Sequence, residues 1–340
     1  MDSLTHIALG ACMGEAFAGK TVGRKAVLWG ILAQSIPDID FIASTWLNTT
    51  SNLLAHRGFT HSILFGVVVS LIMAILANHW QRPHNISFKR WMFFFGAAVL
   101  FHIFIDAFNN YGVGWFEPFS HYRISFNTIY VADPFFSIAP GIALVMLLVL
   151  KQKNKKRTFW WKFGLSISAA YLCYCVINKT IINNDVKKLL AAQQIPYTKY
   201  FTTPAPLQNW LWFVVAGNDS TYYVGYRSVF DKTKELSLEK FSRNTSMIDS
   251  VRDKKEVQQL IRFSQDFYTV EKRQDTLIFN DLRFGQVIGW QNPKEEFVFH
   301  YYLRPGIDNT LVVQRGRFAK WDWHVVESLY RRIKGHEIDK

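Results

Sequence analysis

The chain has 340 residues, enough for two domains, and a formal charge of +13. Its charge distribution argues against nucleic acid: in residues 1–179, 15 Lys/Arg oppose 7 Asp/Glu, and the basic side chains sit in short clusters between apolar runs, not on one continuous face. Its three cysteines, Cys12, Cys173 and Cys175, all fall in apolar runs, which argues against a disulfide framework or a thiolate zinc site.

In chain order, apolar segments at 4–19, 26–45, 62–79, 90–108, 133–150 and 158–178 approach the roughly 20 residues needed to cross a bilayer. The first is short, with Glu15 inside it, and no secretory cleavage signal is evident before it. These runs predict a multi-pass α-helical membrane domain of about five to six helices over residues 1–179. The basic clusters are Lys20, Arg24 and Lys25; Arg82, Lys89 and Arg90; and Lys151, Lys153, Lys155, Lys156 and Arg157. Six spans put all three on one side, which then reads as cytoplasmic by the positive-inside rule. The expected location is the cell inner membrane, with everything after residue 179 outside the cytoplasm. Residues 180–340 alternate like a small α+β domain. A helix is predicted near 183–194, a hairpin from Trp210–Ala216 and Thr221–Tyr226 around Gly217–Ser220, a helix in 250–270, and strands near 275–290, 296–303 and 310–314.

The polar residues of the membrane part are scarce and badly placed for lipid. Asp2 and His6 open the first span, Asp38 and Asp40 follow Pro37 at the end of the second, and His56 and His61 precede the third. His102 and Asp106 share a face at the end of the fourth, and Asp133 starts the fifth. The six-span topology, drawn from basic loops alone, brings them to one level. Buried charges must be paired or bound to metal, and Arg57 is the obvious cation among them. Imidazole and carboxylate donors without thiolate suit a divalent ion, zinc above all, with manganese or iron as alternatives and room for one or two ions. His79, His84 and His121 do not join this set.

Four blocks, Met1–His6, Pro37–Asp40, His56-Arg57-Gly58-Phe59-Thr60-His61-Ser62 and His102–Asp106, resemble the YdjM-like family of membrane-bound metal-dependent hydrolases, over about residues 1–150. A looser echo lies at Asp281–Gly285. The His102-x3-Asp106 pair, with Pro37-Asp38 and His6 upstream, is also distantly similar to the ligand layout of zinc-dependent phospholipase C, which implies phosphoester hydrolysis. The matching His-x3-Glu pair of that enzyme is not evident.

Together these features lead us to expect His6, Asp38, Asp40, His56, His61, His102 and Asp106 as ligands of an ion that lowers the pKa of a bound water toward ~7. Asp40 is the expected proton acceptor and Arg57 the group that grips a phosphate or carboxylate oxygen, or else neutralises an aspartate. Asp2 and Asp133 are expected behind the ligands, Asp133 orienting a histidine. A site at a membrane face suits a membrane lipid or lipid-linked small substrate. The alternative is a non-enzymatic membrane metal-binding, transport or scaffold protein.

Overall fold

The computed structural model describes residues 1–81, 85–304, 318 and 320–336. Arg82, His84 and the strand expected at 310–314 lie outside the described residues. The chain divides into two units, one of Met1–Trp46 with Ala55–Cys175, the other of Leu47–Leu54 with Val176–Lys340.

The first unit is helical: α1 (Ser3–Val22), α2 (Arg24–Ser35), a 3₁₀ segment Pro37–Thr45, a 3₁₀ turn Phe59–His61, α4 (Ile63–Trp80), α5 (Phe88–Asp106), α6 (Pro134–Val149) and the start of α7 (Lys156–Ala192); α3 (Thr49–Ala55) lies between the 3₁₀ segments. Among the described residues, three helices are long and apolar enough to cross a membrane: α4, α5 and α7. A fourth span exists if α2 and Pro37–Thr45, bent by 56°, are one broken crossing. The expected five to six spans are thus corrected to three or four. The reasons are local. α1 has the length, but it is rich in Ala and Gly and carries His6, Glu15 and Lys20. The 16 residues of α6 rise only about 24 Å, short of the roughly 30 Å hydrocarbon core. α2 stops where Pro37 removes a backbone donor.

Small residues bring α1 and α2 together. A Cβ on Gly14 would stand 2.0 Å from the Ala26 carbonyl oxygen, and one on Gly30 2.0 Å from that of Gly10. That close approach sets His6 of α1 against Gln34 of α2. At the opposite end the basic clusters meet: Arg24 donates to Leu150 O at 3.3 Å, and Arg90 to Phe17 O at 2.8 Å. Arg157 forms a two-pronged pair with Glu15, at 2.8 and 2.6 Å, and also donates to Leu147 O and Leu150 O.

Asp133 caps α6 by accepting from Phe135 N at 2.9 Å, and it accepts from Tyr171 of α7 at 2.9 Å. It does not orient a histidine as expected, because helix start and tyrosine take up its two oxygens. Burial, partly offset by these bonds, pushes its carboxyl up to about 6. A raised carboxyl stabilises the fold below the unfolded value near 4, and that contribution is lost as pH rises through about 6. Asp133→Asn keeps the cap without the charge and turns the contact with Tyr171 round, its amide donating to the tyrosine oxygen. Its stability advantage over wild type should therefore grow between pH 5 and pH 8, by about 1.5 kcal/mol. Thermal unfolding in detergent at both pH values measures this, and a pH-independent difference would contradict it.

Among its described residues, the second unit carries two antiparallel sheets. One runs in order β1-β2-β3-β4 (Lys199–Pro204, Leu211–Gly217, Thr221–Ser228, Leu238–Ser242), the other β5-β6-β7 (Tyr268–Arg273, Thr276–Gln286, Phe297–Tyr302). β2 and β3 pair from Leu211–Ser228 to Gly217–Tyr222 around the expected turn. α8 (Lys255–Phe263) and α9 (Trp323–Ile333) are amphipathic, and Val325 and Leu329 of α9 join Phe213, Val224 and Leu282 in one core. The helix expected near 183–194 is the last part of α7. Thr50 of α3 donates to Gln259 of α8 at 2.7 Å.

Candidate metal centre

The helical unit gathers its scarce polar groups where α5 ends and α4 begins. Asp106 is the last residue of α5, and His102 lies one turn earlier on the same face. His61 closes the 3₁₀ turn that Ser62 converts into α4 by capping Phe65 N at 3.0 Å. Asp38 follows Pro37, where α2 breaks. One ligand atom from each of Asp38, His61, His102 and Asp106 lies within 4.8 Å of all the others.

The fit to an ion is specific. His61 Nε2 stands 3.6 Å from Asp38 Oδ1 and 3.4 Å from Asp106 Oδ2; His102 Nε2 stands 3.6 and 3.9 Å from the same atoms. The two Nε2 atoms are 3.2 Å apart. A tetrahedral ion with bonds of about 2.1 Å spaces its ligands about 3.4 Å apart. The outer nitrogens fix the tautomers. His102 Nδ1 is 2.6 Å from Gln34 O, a pure acceptor, so it carries the proton and Nε2 carries the lone pair. His61 Nδ1 is flanked by Thr60 Oγ1 at 3.1 Å and Asp40 Oδ2 at 3.5 Å, which favours the same tautomer. Two lone pairs then face each other across 3.2 Å, an arrangement that a cation between them stabilises. Burial pushes the His61 imidazole down to about 3, so it is neutral near pH 7, as a metal ligand must be.

The remaining predicted ligands surround this group without joining it. His6 stacks on His102 with centroids 3.6 Å apart and spans from Gln34 Oε1 at 3.2 Å to Asp106 Oδ1 at 3.0 Å. It thereby holds the Asp106 carboxylate from the side. Asp40 is buried; its Oδ1 is 3.2 Å from His56 Nδ1, and its Oδ2 accepts from Arg57 N at 2.7 Å and Thr60 at 3.3 Å. Both oxygens are occupied, which fits a holding role better than the proton-accepting one expected. Asp2 caps α1 through Thr5 N at 3.0 Å, and the residue that reaches Asp38 from this region is Ser3, at 3.1 Å.

Arg57 adopts a left-handed φ of 57° and is buried against the Tyr111 ring, 5.1 Å away. Its Nη2 donates to Met1 O at 2.8 Å, and Nε lies 3.0 Å from Asp106 Oδ2. The Met1 amino group touches Asp106 Oδ1. Among the described residues, Arg57 Nε and Nη1 and Asp106 Oδ2 make no hydrogen bond of good geometry. Nε and Oδ2 nevertheless face each other as an ion pair, which leaves Arg57 Nη1 as the donor in reserve among the described residues. Elsewhere, His121 pairs with Glu117 at the surface, and Arg283 of the Asp281–Gly285 block is buried on Asp281 at 2.7 Å.

Gln34 escaped the sequence reading although it touches both His6 and His102. Its position one turn before Asp38 in an apolar helix was the available signal. It is completely buried and also donates to Ala98 O at 2.6 Å.

The sequence profile of the family described as YdjM inner membrane protein matches residues 1–182. The inner membrane protein YbcI of Escherichia coli (strain K12) is 31% identical over 122 residues, covering 35% of this chain and 69% of that protein. The uncharacterized protein YfhP of Bacillus subtilis (strain 168) is 32% identical over 173 residues, covering 44% of this chain and 51% of that protein. No solved structure gives a significant match. With its multi-pass helical unit and its buried Asp/His cluster fitted for a divalent ion, the chain belongs to the YdjM inner membrane protein family.

Proposed function

We propose that the protein is a membrane-bound metal-dependent hydrolase acting on a phosphoester of a lipid or lipid-linked substrate. The observation that carries this reading is the pairing of a four-donor cluster with the buried Arg57, whose Nε is paired with Asp106 and whose Nη1 makes no hydrogen bond among the described residues. A divalent ion held by Asp38, His61, His102 and Asp106, zinc being the best suited, supplies Lewis acidity that makes water nucleophilic near neutral pH. Arg57 then grips an anionic substrate oxygen with its remaining donors, stiffened by Tyr111 and the Met1 carbonyl. His6 and Gln34 hold Asp106 and His102 in place.

The apolar rim favours a lipid-like substrate. Phe41, Trp46, Phe59, Phe119 and Tyr122, all exposed, belong to the segments that carry Asp38, His61 and the loop after α5. Trp46 and Tyr122 are of the types enriched at headgroup level. We place the site on the outer face of the inner membrane. The contacts of Arg24, Arg90 and Arg157 support this, since they put the basic clusters at the far end of the helices from the cluster. A transporter would carry its polar groups along a mid-bilayer path, whereas these stand at helix ends.

The test is turnover of phosphatidyl and undecaprenyl phosphoesters by zinc-loaded protein in detergent. Hydrolysis by wild type that disappears with chelator and in Asp106→Ala is expected. Hydrolysis that survives both treatments would overturn the reading.

A further inference from the structure

The described site contains one imidazole of a different kind. His61, His102 and His6 are fully buried, but the His56 side chain is 40% exposed. Its Nδ1 lies 3.2 Å from Asp40 Oδ1, and no hydrogen bond to its Nε2 is found among the described residues. A carboxylate acceptor fixes the proton on Nδ1 and leaves the lone pair on Nε2. Asp40 itself is held by Arg57 N and Thr60 Oγ1. The His56 backbone is also pinned, its carbonyl accepting from Arg123 Nη2 at 2.7 Å. The Tyr111 ring meets the imidazole edge-on, with centroids 6.2 Å apart, and the same ring lies against the Arg57 guanidinium. Asp40 therefore joins two imidazoles: His56 through Oδ1, and His61 of the cluster, 3.5 Å from Oδ2.

We propose that His56 is not a metal ligand but the proton-transfer residue of this site, and that Asp40 is its positioning residue. The proposal rests on the hydrolase reading and assigns one more catalytic group to it. As the water oxygen bonds to phosphorus, His56 Nε2 takes the proton that water releases. As the ester P–O bond breaks and its electron pair goes to the leaving oxygen, Nε2 returns that proton there. The histidine ends as it began, and the products are an alcohol and a phosphate. Arg57, in the next position along the chain, would hold the non-bridging oxygen within reach of the same histidine.

The experiment uses the zinc-loaded full chain in detergent and two probes, methyl p-nitrophenyl phosphate and phosphatidylglycerol. His56→Ala is expected to keep the wild-type zinc content. It should lose about 10²–10⁴-fold in turnover of phosphatidylglycerol, whose alkoxide needs a proton. It should lose distinctly less on the p-nitrophenyl ester, whose leaving group departs unprotonated, so that only the loss of the base is felt there. Added imidazole should restore part of the lost rate. Asp40→Asn should show the same selectivity for the activated ester, and the double variant should be no worse than His56→Ala, as for groups acting as one unit. Zinc loss in His56→Ala would make it a ligand and overturn the proposal. So would an equal loss on both esters without rescue. A wild type that holds zinc yet cleaves neither ester overturns the hydrolase reading and this role with it; one that cleaves both while His56→Ala matches it overturns this role alone.

Discussion

His102→Ala is expected to purify without a bound divalent ion, with affinity lowered by more than about 100-fold. That bound follows because even groups that merely orient ligands contribute about 10–100-fold. His102 cannot be replaced from nearby. His6 stacks on it, but both His6 nitrogens are engaged, by Gln34 and Asp106. His56 is tied to Asp40. The substitution also leaves Gln34 O without its donor, at a cost of about 1–3 kcal/mol. Metal loss and fold loss are separable by measuring zinc in the variant and comparing its unfolding with that of chelator-stripped wild type. Full zinc retention in a folded His102→Ala protein would remove this histidine from the site.

Glu15→Ala is expected to destabilise the helical unit by about 3–5 kcal/mol, the usual consequence of leaving one member of a buried ion pair alone. Arg157 is almost fully buried, and its guanidinium holds Glu15 with two nitrogens while tying down the carbonyls at the end of α6. Without the carboxylate, a buried cation stays behind with only neutral acceptors. The double variant Glu15→Leu/Arg157→Met removes both charges and should recover most of the loss, since apolar replacements of buried pairs are often neutral or stabilising. Urea or thermal unfolding in detergent gives the comparison. Equal destabilisation by the single and double variants would show that packing, not the unpaired charge, governs this position.

Glu15 also shows where sequence reading stopped. In sequence it looked like a defect in a short span. Its partner is 142 residues away, and no local pattern announces a contact at that distance. The span count failed for a related reason. Apolar runs alone do not distinguish a crossing helix from one sheltered by its neighbours, as α1 is by α2 and α6, nor do they reveal that Pro37 bends a run by 56°. The level of the site was legible because charged groups in an apolar domain must gather where they can be paired. The division of labour within it was not. His6, Asp40 and His56 have the same residue types as the ligands, and only the direction of each ring nitrogen and carboxylate oxygen separates the groups that converge from those that orient. Gln34, neutral and hidden in α2, carried no charge to draw attention.

The central claim is that Asp38, His61, His102 and Asp106 hold an ion. The most direct measurement is zinc per chain by mass spectrometry of full-length wild type that has been loaded with zinc in detergent and then dialysed against zinc-free buffer, alongside His61→Ala treated identically. One tightly held ion per wild-type chain, absent from the variant, is the expected result. No retained ion in a folded wild type, or equal zinc in both proteins, would contradict it.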